Sequence, residues 1–191
     1  MADNIALIYG TSEGQTKKIA EYIAHQRDRR GRSTDLYDGR SLPANFRPAE
    51  YDGIIVGASI HAGKFPKAIN KAVRQNISVL KRERSAFFSV GLLASMEEPD
   101  EESTTRRIVD DFLDDVGWKP GVVESFAGAI PFSQYGFFRR MIMKFILSRR
   151  MDEKIDADKD YEYTDWSRVD EFVARCEREF AKGAEVRPSQ G

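Results

Sequence analysis

The sequence predicts an open, doubly wound α/β sheet of five parallel strands with helices on both faces. Apolar runs of strand length alternate along the chain with segments whose apolar residues recur at helical spacing, the pattern of right-handed parallel crossovers. All but one of the strand candidates are nearly continuous apolar runs, as strands covered by helices on both faces must be. The length agrees, because 191 residues are enough for one domain with a substantial core.

The first strand is "NIALIY", followed at once by small and polar residues and then by a helical pattern over 16–30 that carries Ile19, Ala20, Tyr22 and Ile23. The second strand, "STDLYD", is short and mixed, which suits an edge. "GIIVGAS" is the central strand and leads to a helix over 66–80; "AFFSVG" leads to a helix over 103–116. "VVESFAGAI" reads as the fifth strand, and the last helix runs over 165–182, with Thr164 as its cap and Asp165 in its first turn. No repeat or composition shift marks a second domain. One domain is expected over 1–183, with an insertion at about 131–160 and a flexible tail, "AEVRPSQG", at 184–191.

Charge and cysteine content exclude several classes. A formal net charge of -1 gives no bulk attraction for nucleic acid, and no nucleic-acid motif surrounds the basic run "QRDRRGR", which reads as a helix end stopped by Gly31. The single cysteine, Cys176, excludes an intrachain disulfide and a cysteine-cluster zinc site, and reads as a helix-face residue. No metal site is expected. The N-terminus lacks the basic start and apolar run of a signal peptide, and no apolar run approaches the roughly 20 residues that span a bilayer. A cytoplasmic protein is therefore expected.

In such sheets ligands bind outside the carboxyl ends of the strands, where the strand order reverses. The turn after the first strand contains Thr11, Ser12, Glu13, Gly14, Gln15 and Thr16. With Gly14 free to take a positive φ, backbone N–H groups can point inward at a helix N-terminus, and the hydroxyls add donors. That chemistry suits a phosphate without a lysine. The turn matches neither GxxxxGK[ST] nor GxGxxG. A plain helix cap through Ser12 or Thr11 is the competing account, and Glu13 would repel a phosphate unless its carboxylate faces solvent.

The loop after the central strand contains Ala58, Ser59, Ile60, His61, Ala62 and Gly63, and the loop after the fourth contains Val90, Gly91, Leu92, Leu93 and Ala94. Their small residues leave room for a flat ligand near the backbone. A phosphate turn beside two open loops suits a mononucleotide lying along the sheet edge. On these residues the chain resembles the flavodoxin family, whose first loop reads T/S-x-T-G-x-T; "TSEGQT" fits it except at Glu13. The resemblance implies the sheet order 2-1-3-4-5 and FMN as ligand, its phosphate in the first loop and its ring between the second and third.

"YGTSEGQTKKIAEYIA", "GASIHAGKFPKAI", "SAFFSVGLLA", "FAGAIPFSQYGFFRRMIMKFI" and "EYTDW" resemble, in order and spacing, the menaquinone-dependent protoporphyrinogen IX dehydrogenases of that superfamily. What the resemblance implies is an enzyme of haem synthesis that removes six electrons from a porphyrinogen and passes them to a quinone. It also implies a peripheral position on the cytoplasmic face of the inner membrane. A homo-oligomer remains open.

In the second loop only His61 and Phe65 carry rings, and "GLLASMEEP" carries none, so one flavin face is expected to be open to a bulky planar substrate. His61 is a candidate proton carrier near neutral pH, or a residue that packs on the ring. The segment "QYGFFRRMIMKFILSRRM" places Phe138, Met141, Ile142, Phe145 and Ile146 on one helical face and most of its basic residues opposite. Arg139, Arg140 and Lys144 are candidates for contact with substrate carboxylates or an anionic membrane; a helix packed on the domain with a solvated basic face is the alternative. The acidic run "EEPDEES" reads as solvated turn and helix-start residues. Two other functions compete: an electron-shuttling flavodoxin, and a domain that has lost its cofactor and acts only in interactions.

Overall fold

The computed structural model describes residues 4–81, 84–91, 99–130 and 161–182. The five strands β1 (Asn4–Gly10), β2 (Ser33–Asp38), β3 (Gly53–Ser59), β4 (Ser85–Gly91) and β5 (Val122–Ala127) form one sheet in the order β2-β1-β3-β4-β5. All pairs in it are parallel. The crossovers carry helices α1 (Gln15–Asp28), α2 (Lys67–Leu80) and α3 (Pro99–Val116), and α4 (Trp166–Ala181) follows last.

Strand alternation sorts the core into two layers. Ile5, Leu7 and Tyr9 of β1, Ile55 of β3 and Phe88 of β4 face Ile19 and Ile23 of α1 and Phe172, Cys176 and Phe180 of α4. Ile8, Ile54, Val56 and Phe87 face Ile69 and Val73 of α2 and Phe112 of α3 on the other side. Because successive side chains point to opposite faces, an unbroken apolar strand feeds both layers at once. The layers fit closely: a Cβ on Gly57 would lie 2.1 Å from the Phe88 ring. β2 is the edge strand, and its Leu36 is the one large apolar side chain left exposed among the described residues.

Several boundaries differ from expectation. α3 begins at Pro99 rather than 103; proline presets φ for a first helical turn, and the Asp-Glu-Glu that follows suits a helix N-terminus. The segment expected as one fifth strand divides at Gly128. Its N–H donates to Gly91 O at 3.1 Å while its carbonyl accepts from Tyr163 N–H at 3.1 Å, so the chain changes partners there. Beyond it, β6 (Ala129–Ile130) leaves the sheet and pairs antiparallel with β7 (Tyr161–Glu162). The expected insertion, including Arg139, Arg140 and Lys144, lies outside the described residues, as does the tail.

The cap of α4 is also corrected. Asp165, not Thr164, is the N-cap, its carboxylate accepting from the N–H groups of Ser167 and Arg168. At the basic end of α1, Arg27, Arg30 and Arg32 converge on Glu177 of α4. Cys176 lies on the buried face of α4, and burial pushes its thiol pKa up.

Candidate functional site

The parallel register brings the carboxyl ends of the inner strands together, pairing Gly10 with Ala58, Ser59 with Val90 and Gly91 with Ala127. The turn after β1 therefore sits beside the loop after β3. The hydroxyls of Ser12 and Ser59 close the gap at 3.1 Å.

Gly14 is the residue before α1 and takes φ 94°, a conformation that costs a side chain but not glycine. Its N–H donates to Thr11 Oγ1 at 2.8 Å. The N-cap position is Gly14, which has no side chain to cap α1, and Thr11 holds the N–H of Gly14 rather than one inside the helix. The first helical bond runs from Lys18 N–H to Gly14 O at 3.0 Å, leaving the N–H groups of Gln15, Thr16 and Lys17 ahead of the ladder. The first turn of α1 holds no acid. Beneath it, Thr16 is 1% exposed and its Oγ1 is the one buried side-chain oxygen or nitrogen without a partner among the described residues. Such a group is costly unless a ligand completes it. Glu13 is half-buried and engaged within the fold.

The loop after β3 is a two-residue hairpin. His61 and Lys64 exchange backbone bonds, His61 N–H to Lys64 O at 3.0 Å and Lys64 N–H to His61 O at 3.1 Å. Ala62 and Gly63 between them have φ 49° and 72°, as a primed turn requires. The turn stands exposed at residues 61–64. Ile60 N–H reaches Val90 O at 2.7 Å, extending the ladder past the end of β3. Ala58 and Val90 are buried core residues, so they offer a ligand only backbone. Phe65 turns inward, its ring centroid 4.8 Å from that of Phe112 and 5.5 Å from that of Phe87. His61 is thus the only exposed ring of this loop. Leu92, Leu93 and Ala94 lie outside the described residues.

The sequence did not reveal the contribution of "EYTDW". Thr164 donates its hydroxyl to Ala127 O at 2.8 Å and accepts from Gln15 Nε2 at 2.8 Å. Gln15 Nε2 also reaches Glu162 Oε1 at 3.2 Å, and Lys18 Nζ meets Glu162 Oε2 at 2.5 Å. Burial opposes ionisation of Glu162, but the bonds from Lys18 and Gln15 outweigh it and hold the carboxyl below its usual value. With its side chain so engaged, Gln15 has its backbone N–H to offer a phosphate.

The turn fits a phosphate by its donors, its positive helix end and its orphaned hydroxyl, and beside it the loop after β3 stands exposed at residues 61–64. Comparison with known proteins agrees. A Flavodoxin domain family model matches residues 6–158. The chain is 36% identical over 172 residues to the protoporphyrinogen IX dehydrogenase (quinone) of Leishmania major, covering 88% of this chain and 72% of that one. It is 30% identical over 170 residues to the protein of the same name from Escherichia coli, covering 87% and 91%. Among solved structures, a Streptococcus pneumonia flavodoxin superposes with a TM-score of 0.54 at 14% identity, covering 94% of this chain and 99% of that one. Oxidised flavodoxin 1 of Bacillus cereus gives 0.50 at 16%, covering 94% and 97%.

Proposed function

The chain belongs to the flavodoxin domain family and, within it, to the quinone-linked protoporphyrinogen IX dehydrogenases, and from that premise we propose that it binds FMN and oxidises protoporphyrinogen IX to protoporphyrin IX with a quinone as acceptor. The observation that carries the cofactor assignment is the unpartnered, buried Thr16 hydroxyl under a helix start free of acid. Thr11, Ser12, Glu13, Gly14 and Gln15 would surround the phosphate, chiefly through backbone N–H groups, with Thr16 donating from its side chain. The backbone of Ala58, Ser59, Ile60, His61, Ala62 and Gly63 would line one side of the ring, and that of Val90, Gly91, Leu92, Leu93 and Ala94 the other.

When bound, FMN supplies the redox chemistry that links a porphyrinogen to a quinone. The chain's own work is to hold and orient. Of the two rings in the β3 loop, Phe65 is committed to the core and only His61 stands exposed at the edge. That leaves a face on which a planar substrate can lie in register with the cofactor. The exposed His61 is the proton carrier at this edge, taking a proton on its imidazole as the substrate loses one. We further propose that Arg139, Arg140 and Lys144 meet the substrate's carboxylates or an anionic membrane surface; in the second case the protein would sit peripherally on the cytoplasmic side, where quinone is available. Among the described residues no helix is long and apolar enough to cross a membrane.

The test is anaerobic turnover. With protoporphyrinogen in large excess over FMN-loaded protein, sustained growth of porphyrin fluorescence should require a menaquinone analogue to reoxidise the flavin. A variant with Arg139, Arg140 and Lys144 all changed to Glu should lose turnover, vesicle binding or both; retention of both would remove the role given to those residues.

A further inference from the structure

Thr164 lies where three parts of the site meet. It directly precedes the cap of α4, is 8% exposed, and spends its hydroxyl proton on Ala127 O, the last carbonyl of β5. Its remaining lone pairs face Gln15, the first residue of α1, whose side-chain amide donates to it at 2.8 Å. Ala127 is in turn the register partner of Gly91, and Gly91 O accepts from Gly128 N–H at 3.1 Å. One hydroxyl thus joins the helix turn that faces the phosphate to the strand ends beside the ring. A threonine hydroxyl has one proton and two acceptor sites, so it can serve as such a relay, whereas a methyl group cannot.

We propose that the Gln15–Thr164–Ala127 relay is a positioning device for the cofactor, its side-chain bonds setting the distance between the phosphate turn, where Gln15 offers only its backbone N–H, and the ring-side loops, and thereby the affinity for FMN. The inference rests on the assignment of FMN to this site. The outer contacts reinforce the same joint: Glu162 receives Gln15 Nε2 and Lys18 Nζ, and Lys18 Nζ also lies 5.4 Å from the Trp166 ring centroid. The one lysine a turn into α1 that meets a carboxylate across the fold is thereby held by Glu162, consistent with a phosphate turn that relies on N–H groups and a hydroxyl. The two relay bonds are part-buried, while the exposed Lys18–Glu162 pair adds little by itself.

The experiment titrates apoprotein with FMN, following flavin fluorescence, and records the 31P resonance of bound FMN for wild type, Thr164→Val, Thr164→Ser, Gln15→Leu and the Val/Leu double variant. Thr164→Val removes the bonds to Ala127 O and from Gln15, and Gln15→Leu those to Thr164 and Glu162; loss of the shared Gln15–Thr164 bond predicts an FMN Kd about five- to tenfold higher for each. The 31P signal should be displaced in both. Thr164→Ser, which keeps the hydroxyl, should restore both readouts. The double variant should bind no more weakly than the weaker single variant, because both break the same relay. A purely structural role would lower the melting temperature of the apoprotein and leave Kd and the 31P signal at wild-type values, and that result would overturn the proposal. Should Thr164→Val fail to fold, Gln15→Leu, on a half-buried helix start, decides alone. A wild-type protein that does not bind FMN would instead sink the functional assignment beneath it.

Discussion

Thr16 concentrates the physics of the site in one atom. An unpaired hydroxyl in a folded interior costs stability, and replacing it with an apolar group of the same shape removes that cost. Thr16→Val should therefore leave the apoprotein melting temperature unchanged or raised, while weakening FMN binding about tenfold or more by loss of a charge-assisted bond. A destabilised apoprotein with unaltered FMN affinity would contradict the role given to Thr16. This residue was legible because hydroxyls, Gly14 and an apolar helix follow one another within the turn. Thr164 was not. It stands beside Asp165, both residue types cap helices well, and nothing local says that the threonine hydroxyl is taken by a carbonyl 37 positions earlier.

Elements report their own electrostatics. The Asp165 carboxyl is held below its ordinary value first by the Ser167 hydroxyl and also by the backbone N–H groups of Ser167 and Arg168. A carboxylate with a lowered folded-state pKa stabilises fully above its unfolded value and loses that contribution as pH falls through the folded one. The melting temperature of Asp165→Ala should accordingly lie below that of wild type at pH 7, with the gap narrowing as pH drops below 3.8, the ordinary aspartate value. A gap constant down to acid pH would show that the charged cap is not what differs. The long elements were readable from period alone, since "GIIVGAS" and "STDLYD" coincide with β3 and β2 to the residue. β6 and β7, at two residues each, are too short to carry a period, and only the change of partner at Gly128 creates them.

At the scale of the molecule, alternation along buried strands divides the core between two helix layers, and the order β2-β1-β3-β4-β5 opens a crevice between the ends of β1 and β3. Strand positions followed from apolar runs, whereas the order rested on resemblance, because no local pattern states which strand lies beside which. Substrate identity was likewise a matter of kinship, borne by motifs such as "EYTDW" whose physical work, bracing the start of α1 through Gln15 and Lys18, became visible only across the fold. The most direct measurement of the central claim is anaerobic mixing of protoporphyrinogen IX with an excess of FMN-loaded protein, at least about three flavins per porphyrinogen because each flavin takes two of the six electrons, before any quinone is added. The account predicts bleaching of the flavin absorbance together with the appearance of porphyrin fluorescence, and recovery of the flavin absorbance when a menaquinone analogue follows. Flavin that remains oxidised in the presence of porphyrinogen, yet takes single electrons from a reductase, would contradict it and identify an electron carrier.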